Sequence, residues 1–177
     1  MKKIFIYIFA LTLLAACSKD EEKAKTSGEV MLSSQIMGGG NNYYVEGFLL
    51  DEAKKVSFTL TSSPVPDLVL ENNLDTKGAN LTSPQNDQAF FKVGEFTTLA
   101  EAEASFNSLT QAGNNTYSAT APNIKANQVY ILKTRGNRYA KLLIKDYQTV
   151  TIPTEYVQAT IQWVYQPNGE KTFNQSK

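Results

Sequence analysis

Ala159, Ile161, Trp163 and Tyr165 alternate with Thr160, Gln162 and Gln166. Successive strand side chains point to opposite faces, so this segment must lay its apolar set on a core. The other face is mostly polar, as in an antiparallel sheet covered on one side. A helix cannot satisfy the same pattern, because a period of two would scatter the apolar residues around its axis.

Other segments agree with a strand-dominated chain. Val129–Thr134 and Arg138–Lys145 flank Arg135-Gly136-Asn137, whose Gly-Asn pair supplies the positive φ of a tight turn. This predicts a hairpin. Lys55–Leu60 alternates through Val56, Phe58 and Leu60 and predicts a strand, as do Tyr43–Leu50, Leu68–Leu70 and Ala89–Val93. Glu29–Met37 predicts another, ended by Gly38-Gly39-Gly40-Asn41-Asn42. Asn72–Gln88 and Asn114–Asn127 are polar and read as a long loop and a connection. One helix is predicted, over Thr98–Gln111. Thr98 and Glu101 form a capping box, and Leu99, Ala102, Phe106 and Leu109 recur on one face. Gly113 supplies a stop. The expected fold is mainly β: a single antiparallel, sandwich-like domain packing one α-helix near 98–111. A chain of 177 residues has room for one such domain.

The N-terminus has a different character. Lys2 and Lys3 precede an apolar run, Ile4–Leu14, which Thr12 alone interrupts. A membrane-spanning helix needs about 20 apolar residues, so the run has the length of a signal-peptide core instead. Leu14-Ala15-Ala16-Cys17 follows, ending on the chain's single Cys. It resembles the lipobox of bacterial lipoproteins. The resemblance implies cleavage after Ala16 and lipidation of Cys17, leaving residues 1–16 as signal peptide. Ser18-Lys19-Asp20-Glu21-Glu22 resembles the surface-export signal of Bacteroidota lipoproteins, and Ser18 stands where Asp would imply inner-membrane retention. Residues 17–28 then read as the lipidated Cys and a flexible tether, and 29–177 as the β-rich domain.

Composition excludes several chemistries. There is no His, which removes Ser-His-Asp and Cys-His catalysis and His-ligated zinc or haem. One Cys permits no intramolecular disulfide and no Fe–S cluster. Seventeen basic residues balance seventeen acidic ones, so there is no basic footprint for nucleic acid. No Ser-x-x-Lys or Gly-x-Ser-x-Gly motif is present, and the expected role is binding without catalysis. Met31 and Met37, with Tyr43 and Tyr44, are the candidates for ligating or stacking on haem or another ring. Lys133, Arg135, Arg138 and Lys141 bracket the Gly136 turn and are candidates for an anionic partner. Trp163 alternates with apolar neighbours and reads as core. No protein-held metal site is expected.

Val129-Tyr130-Ile131-Leu132-Lys133-Thr134-Arg135-Gly136-Asn137-Arg138-Tyr139-Ala140-Lys141, continuing to Tyr147, together with Ala159–Tyr165, resembles the closing strands of the HmuY-like lipoproteins of Bacteroidota. Phe48–Val56 and Pro66–Leu70 are similar to the opening strands of that family. The resemblance implies a β-rich fold, an outer-membrane lipid anchor, and haem or tetrapyrrole acquisition with an outer-membrane receptor. The segment Asn72–Asn127, where family members carry His or Met ligands, has neither residue, so no axial ligand carries over. A glycan-binding accessory lipoprotein of a polysaccharide uptake system, or a structural lipoprotein without a small ligand, are the other readings.

Overall fold

The computed structural model describes residues 25–40, 42–73, 76 and 78–173. The lipobox and export-signal readings at Cys17 and Ser18–Glu22 lie outside them.

Eleven strands and one helix follow each other along the chain. They are β1 (Ser27–Ser33), β2 (Met37–Gly39), β3 (Asn42–Leu49), β4 (Lys54–Phe58), β5 (Leu68–Asn73), β6 (Gly78–Thr82), β7 (Phe90–Glu95), α1 (Leu99–Ser108), β8 (Thr120–Ala121), β9 (Gln128–Lys133), β10 (Tyr139–Val150) and β11 (Tyr156–Gln166). The fold is mainly β, with two antiparallel sheets and a single described helix. One sheet runs β1-β11-β10-β9-β7; the other runs β2-β3-β5-β6-β8, with β4 also paired to β3. The hairpin at Gly136 forms as expected: Lys133 opposes Tyr139, and Asn137 takes φ +55° in the turn.

The main core lies between the two sheets. Val157, Ala159, Ile161, Trp163 and Tyr165 are all buried, which is the alternation of β11 realised in space. Trp163 packs on Phe48 of the other sheet with ring centroids 5.4 Å apart. Leu68, Leu70, Ala79 and Leu81 complete the facing layer.

The first sheet is covered on its second face as well. Ala102 and Phe106 of α1 pack on Val129 and Leu143. Beside them, Ala112 and Phe173 pack on Ile131 and Tyr139. Consequently Tyr139–Ile144 is buried at every position, while β10 beyond Lys145 is half-buried or exposed. A sheet buried on both faces reads as a continuous apolar run, and Tyr139-Ala140-Lys141-Leu142-Leu143-Ile144 has only Lys141 as an exception.

Lys141 therefore corrects the expectation of a surface cation. Its side chain enters the layer between β10 and α1, where Nζ donates to the carbonyls of Phe106 (2.7 Å) and Leu109 (3.1 Å). These are acceptors at the C-terminal end of α1, where helix carbonyls lack partners and a cation is favoured. The ammonium also lies 4.6 Å from the Phe106 ring centroid. Burial lowers its pKa.

Several boundaries differ from the sequence reading. β1 opens at Ser27, so the last two residues assigned to the tether are strand. The expected loop 72–88 contains β6, whose Ala79 and Leu81 are buried between half-buried Gly78, Asn80 and Thr82. Two small apolar residues in a polar stretch carry too little hydrophobicity to announce a strand. The 114–127 connection contains β8, which pairs with β6. The helix spans Leu99–Ser108, with the Thr98–Glu101 capping box formed in both directions. Leu99, assigned to its apolar face, is exposed.

Replacing Lys141 with Met should lower stability by about 1–3 kcal/mol, the cost of leaving buried acceptors unpaired. Urea denaturation of the two proteins compared at neutral pH checks this.

Candidate functional site

The residues Ile36, Tyr43, Tyr44, Val45, Phe58 and Leu60 meet in a groove of about 480 Å³ on the second sheet. Its size falls within the roughly 300–1,000 Å³ range of small-ligand sites. Thr59, Thr61 and Glu71 supply its polar lining.

Backbone chemistry builds the groove. In the β2–β3 hairpin Met37 opposes Tyr44 and Gly38 opposes Tyr43. Gly38 takes φ +95°, and a Cβ there would stand 2.0 Å from the Asn42 carbonyl oxygen. No other residue fits. The strand expected over Glu29–Met37 instead stops at Ser33, and Gly38 and Gly39 belong to β2, so the chain reverses after Gly39 and Tyr43 and Tyr44 follow Asn42 at the start of β3. On the other side Val45 opposes Phe58 across the β3–β4 pair. The chain leaves β4 through a closed turn, in which the Ser62 N–H donates to the Thr59 carbonyl and the Thr59 N–H to Ser62 Oγ. Leu60 sits on that turn. The period of two would have buried it beside Phe58, but the strand ends at Phe58 and Leu60 is 92% exposed.

Two residues before Ile36, Ser34 is anchored. The Ser34 hydroxyl donates to Asn72 Oδ1 and accepts from the Val157 N–H, and the Ser34 N–H donates to the Val157 carbonyl. These bonds tie the segment after β1 to both sheets. Ile36 is 68% exposed and Tyr43 60%. With Leu60, three large apolar side chains are presented to water together. Exposed apolar clusters of this kind mark binding surfaces.

The structure brings together only part of the residue set singled out from sequence. Tyr43 and Tyr44 line the groove, and Met37 lies opposite Tyr44 in the adjoining strand, half-buried. Met31 is in the other sheet, opposite Thr160 and half-exposed. Arg135 and Arg138 are not among the groove residues. Arg135 Nη2 donates to the Val65 carbonyl (2.9 Å), and Arg138 Nη1 donates to the Tyr165 hydroxyl (3.2 Å), which raises the guanidinium pKa. Both arginines bind the hairpin tip to its surroundings. Ile36, Phe58, Leu60 and Glu71 were not singled out from sequence, and only the break in the β4 alternation hints at Leu60.

Asp67 lies beside the two arginines. Its Oδ2 accepts from the Leu50 N–H at 3.0 Å. Burial raises its pKa, and the Leu50 N–H, Arg135 and Arg138 oppose that shift only in part. Between the unfolded and folded values the folded chain binds more protons, so this group's contribution falls as pH rises from about 4. Asp67→Asn removes that loss. Its stability relative to the parent should be higher at pH 7 than at pH 3, measured as urea midpoints at both pH values.

Among the described residues no cluster of three or more His, Cys, Asp or Glu could hold a metal ion, and no helix is long and apolar enough to cross a membrane. No curated protein matches the chain. A sequence profile of the prokaryotic membrane lipoprotein lipid attachment site matches residues 1–18, the segment that ends just past Cys17. The protein is a membrane-anchored lipoprotein.

Proposed function

We propose that this lipoprotein is a non-catalytic binding protein of the outer membrane, displayed on the cell surface, whose groove captures a flat, largely apolar ligand of the tetrapyrrole class. The observation that carries the reading is the grouping of Tyr43 and Tyr44 with Ile36, Phe58 and Leu60 around one concave surface. Apolar and aromatic walls with few polar groups suit a porphyrin face. Either tyrosine phenol is a chemically competent haem-iron ligand, so the absence of His does not exclude the cargo. Among the described residues that line the groove, Glu71 is the one charged side chain. Haem propionates would therefore point out of the open side into water.

The anchor supports the same reading. Lipidated Cys17 precedes β1 by ten residues. β1 runs from Ser27 to Ser33, and Ile36 follows its far end. Seven strand residues cover about 23 Å, so the groove lies at the opposite end of β1 from the anchored terminus. Ser18 after the Cys and the Lys-plus-acidic run to Glu22 favour export to the outer membrane and its surface.

The test is a visible-absorption titration of the full lipidated chain in nanodiscs with haem, with empty nanodiscs as the blank. A saturable Soret shift is expected, and Tyr43→Ala and Tyr44→Ala should each weaken it about tenfold, equivalent to ~1.4 kcal/mol. A shift no larger than the blank, or affinities unchanged in both variants, refutes the reading.

A further inference from the structure

A second concavity, of about 410 Å³, lies on the helix-covered side of the molecule and has the opposite chemistry. Lys133 and Lys171 line it with Gln88, Asn114, Tyr117 and Tyr139. No acidic residue is among the described residues that line it. We propose that this cavity is a binding site for an acidic sugar, a pyranose unit bearing a carboxylate.

Four separate stretches of chain converge to form it, and backbone hydrogen bonds fix them. The Ala112 N–H donates to the Lys171 carbonyl (2.7 Å), and the Phe173 N–H donates to the Thr110 carbonyl (2.8 Å), joining the post-helix loop to the C-terminal segment. The Lys133 N–H donates to the Ala89 carbonyl (2.7 Å), joining β9 to the segment that holds Gln88. The Asn115 side chain donates to the Ala112 carbonyl (2.6 Å) and braces the loop. The walls are therefore set before a ligand arrives, which lowers the ordering cost of binding.

The side chains match the parts of such a ligand. The Lys133 ammonium has no partner among the described residues, and its charge is available to a carboxylate. Lys171 donates to Asn114 Oδ1 and lies 6.0 Å from the Tyr139 ring centroid. The carboxamides of Gln88 and Asn114 each offer donors and acceptors, as a row of sugar hydroxyls requires. Tyr117 and Tyr139 lie 6.5 Å apart between ring centroids and supply apolar faces for the C–H side of a pyranose. The Tyr117 hydroxyl is buried and makes no well-formed hydrogen bond, and burial raises its pKa although Asn115 lies beside it. A bare inorganic anion would use the two lysines and leave the carboxamides and rings without a role.

The experiment is isothermal titration calorimetry of the full lipidated chain in nanodiscs. The probes are digalacturonate and diglucuronate, their neutral counterparts digalactose and diglucose, and inorganic sulfate. At least one uronic-acid disaccharide should bind saturably, about tenfold or more tighter than its neutral counterpart, with affinity falling as salt rises. Lys133→Met, at a half-buried side chain whose ammonium has no partner among the described residues, should weaken binding about tenfold. The Lys133→Met/Lys171→Met pair should weaken it further, with thermal melting checked beside it. Tyr43→Ala, in the apolar groove, should leave it unchanged. The proposal fails if neither acidic disaccharide binds, if neutral sugars or sulfate bind as tightly, or if Lys133→Met binds like the parent. Failure here leaves the groove reading untouched, because the two sites share no residue.

Discussion

Burial of the β9–β10 hairpin on both faces is the constraint around which the rest is arranged. An antiparallel sheet can leave one face wet, but Val129, Ile131, Tyr139 and Leu143 point away from the inter-sheet core and still need cover. The helix cannot cover them alone, since only Ala102 and Phe106 of α1 are buried. The post-helix loop and the C-terminal segment around Phe173 complete the layer, joined by the Ala112–Lys171 and Phe173–Thr110 hydrogen bonds. Lys141 belongs to this layer. It carries a charge into it because the end of α1 presents carbonyls there that no backbone donor reaches. The polar cavity sits at the margin of that same cover, where its loop, β9 and the C-terminal segment meet.

Much of the architecture was legible because strong patterns bury large side chains. The β11 alternation, the Gly136 hairpin and the Thr98–Glu101 capping box each join a local rule to a global need, and all three form as written. What escaped has a common physical cause. β6 buries only Ala79 and Leu81, and β8 is two residues long, so neither raises a periodic signal above a polar background. Lys141 looked like its neighbours at the hairpin tip because sequence distance from the turn says nothing of what packs over a strand. Its partners are carbonyls more than thirty residues away.

The candidate sites were less legible for a related reason. Tyr43 and Tyr44 were visible as aromatic residues following a glycine run, and the groove does gather them. Leu60 and Ile36 were not, since an apolar residue at a strand's end reads as core until the backbone turn that exposes it is known. Arg135 and Arg138 had the right chemistry for an anion, but the Val65 carbonyl and the Tyr165 hydroxyl occupy them. Lys133, whose ammonium has no such partner among the described residues, lies on the same hairpin. Charge type was readable in sequence; which charges were already engaged was not.

The two concavities lie toward opposite ends of β1. Ser27 opposes Val164 near the end of β11, and Gln166 opposes Tyr139, so the Tyr139 wall of the polar cavity shares an end of the sheet with the anchored terminus. The apolar groove lies beyond the opposite end of β1. The seven residues of β1 thereby set the two proposed sites apart along the molecule.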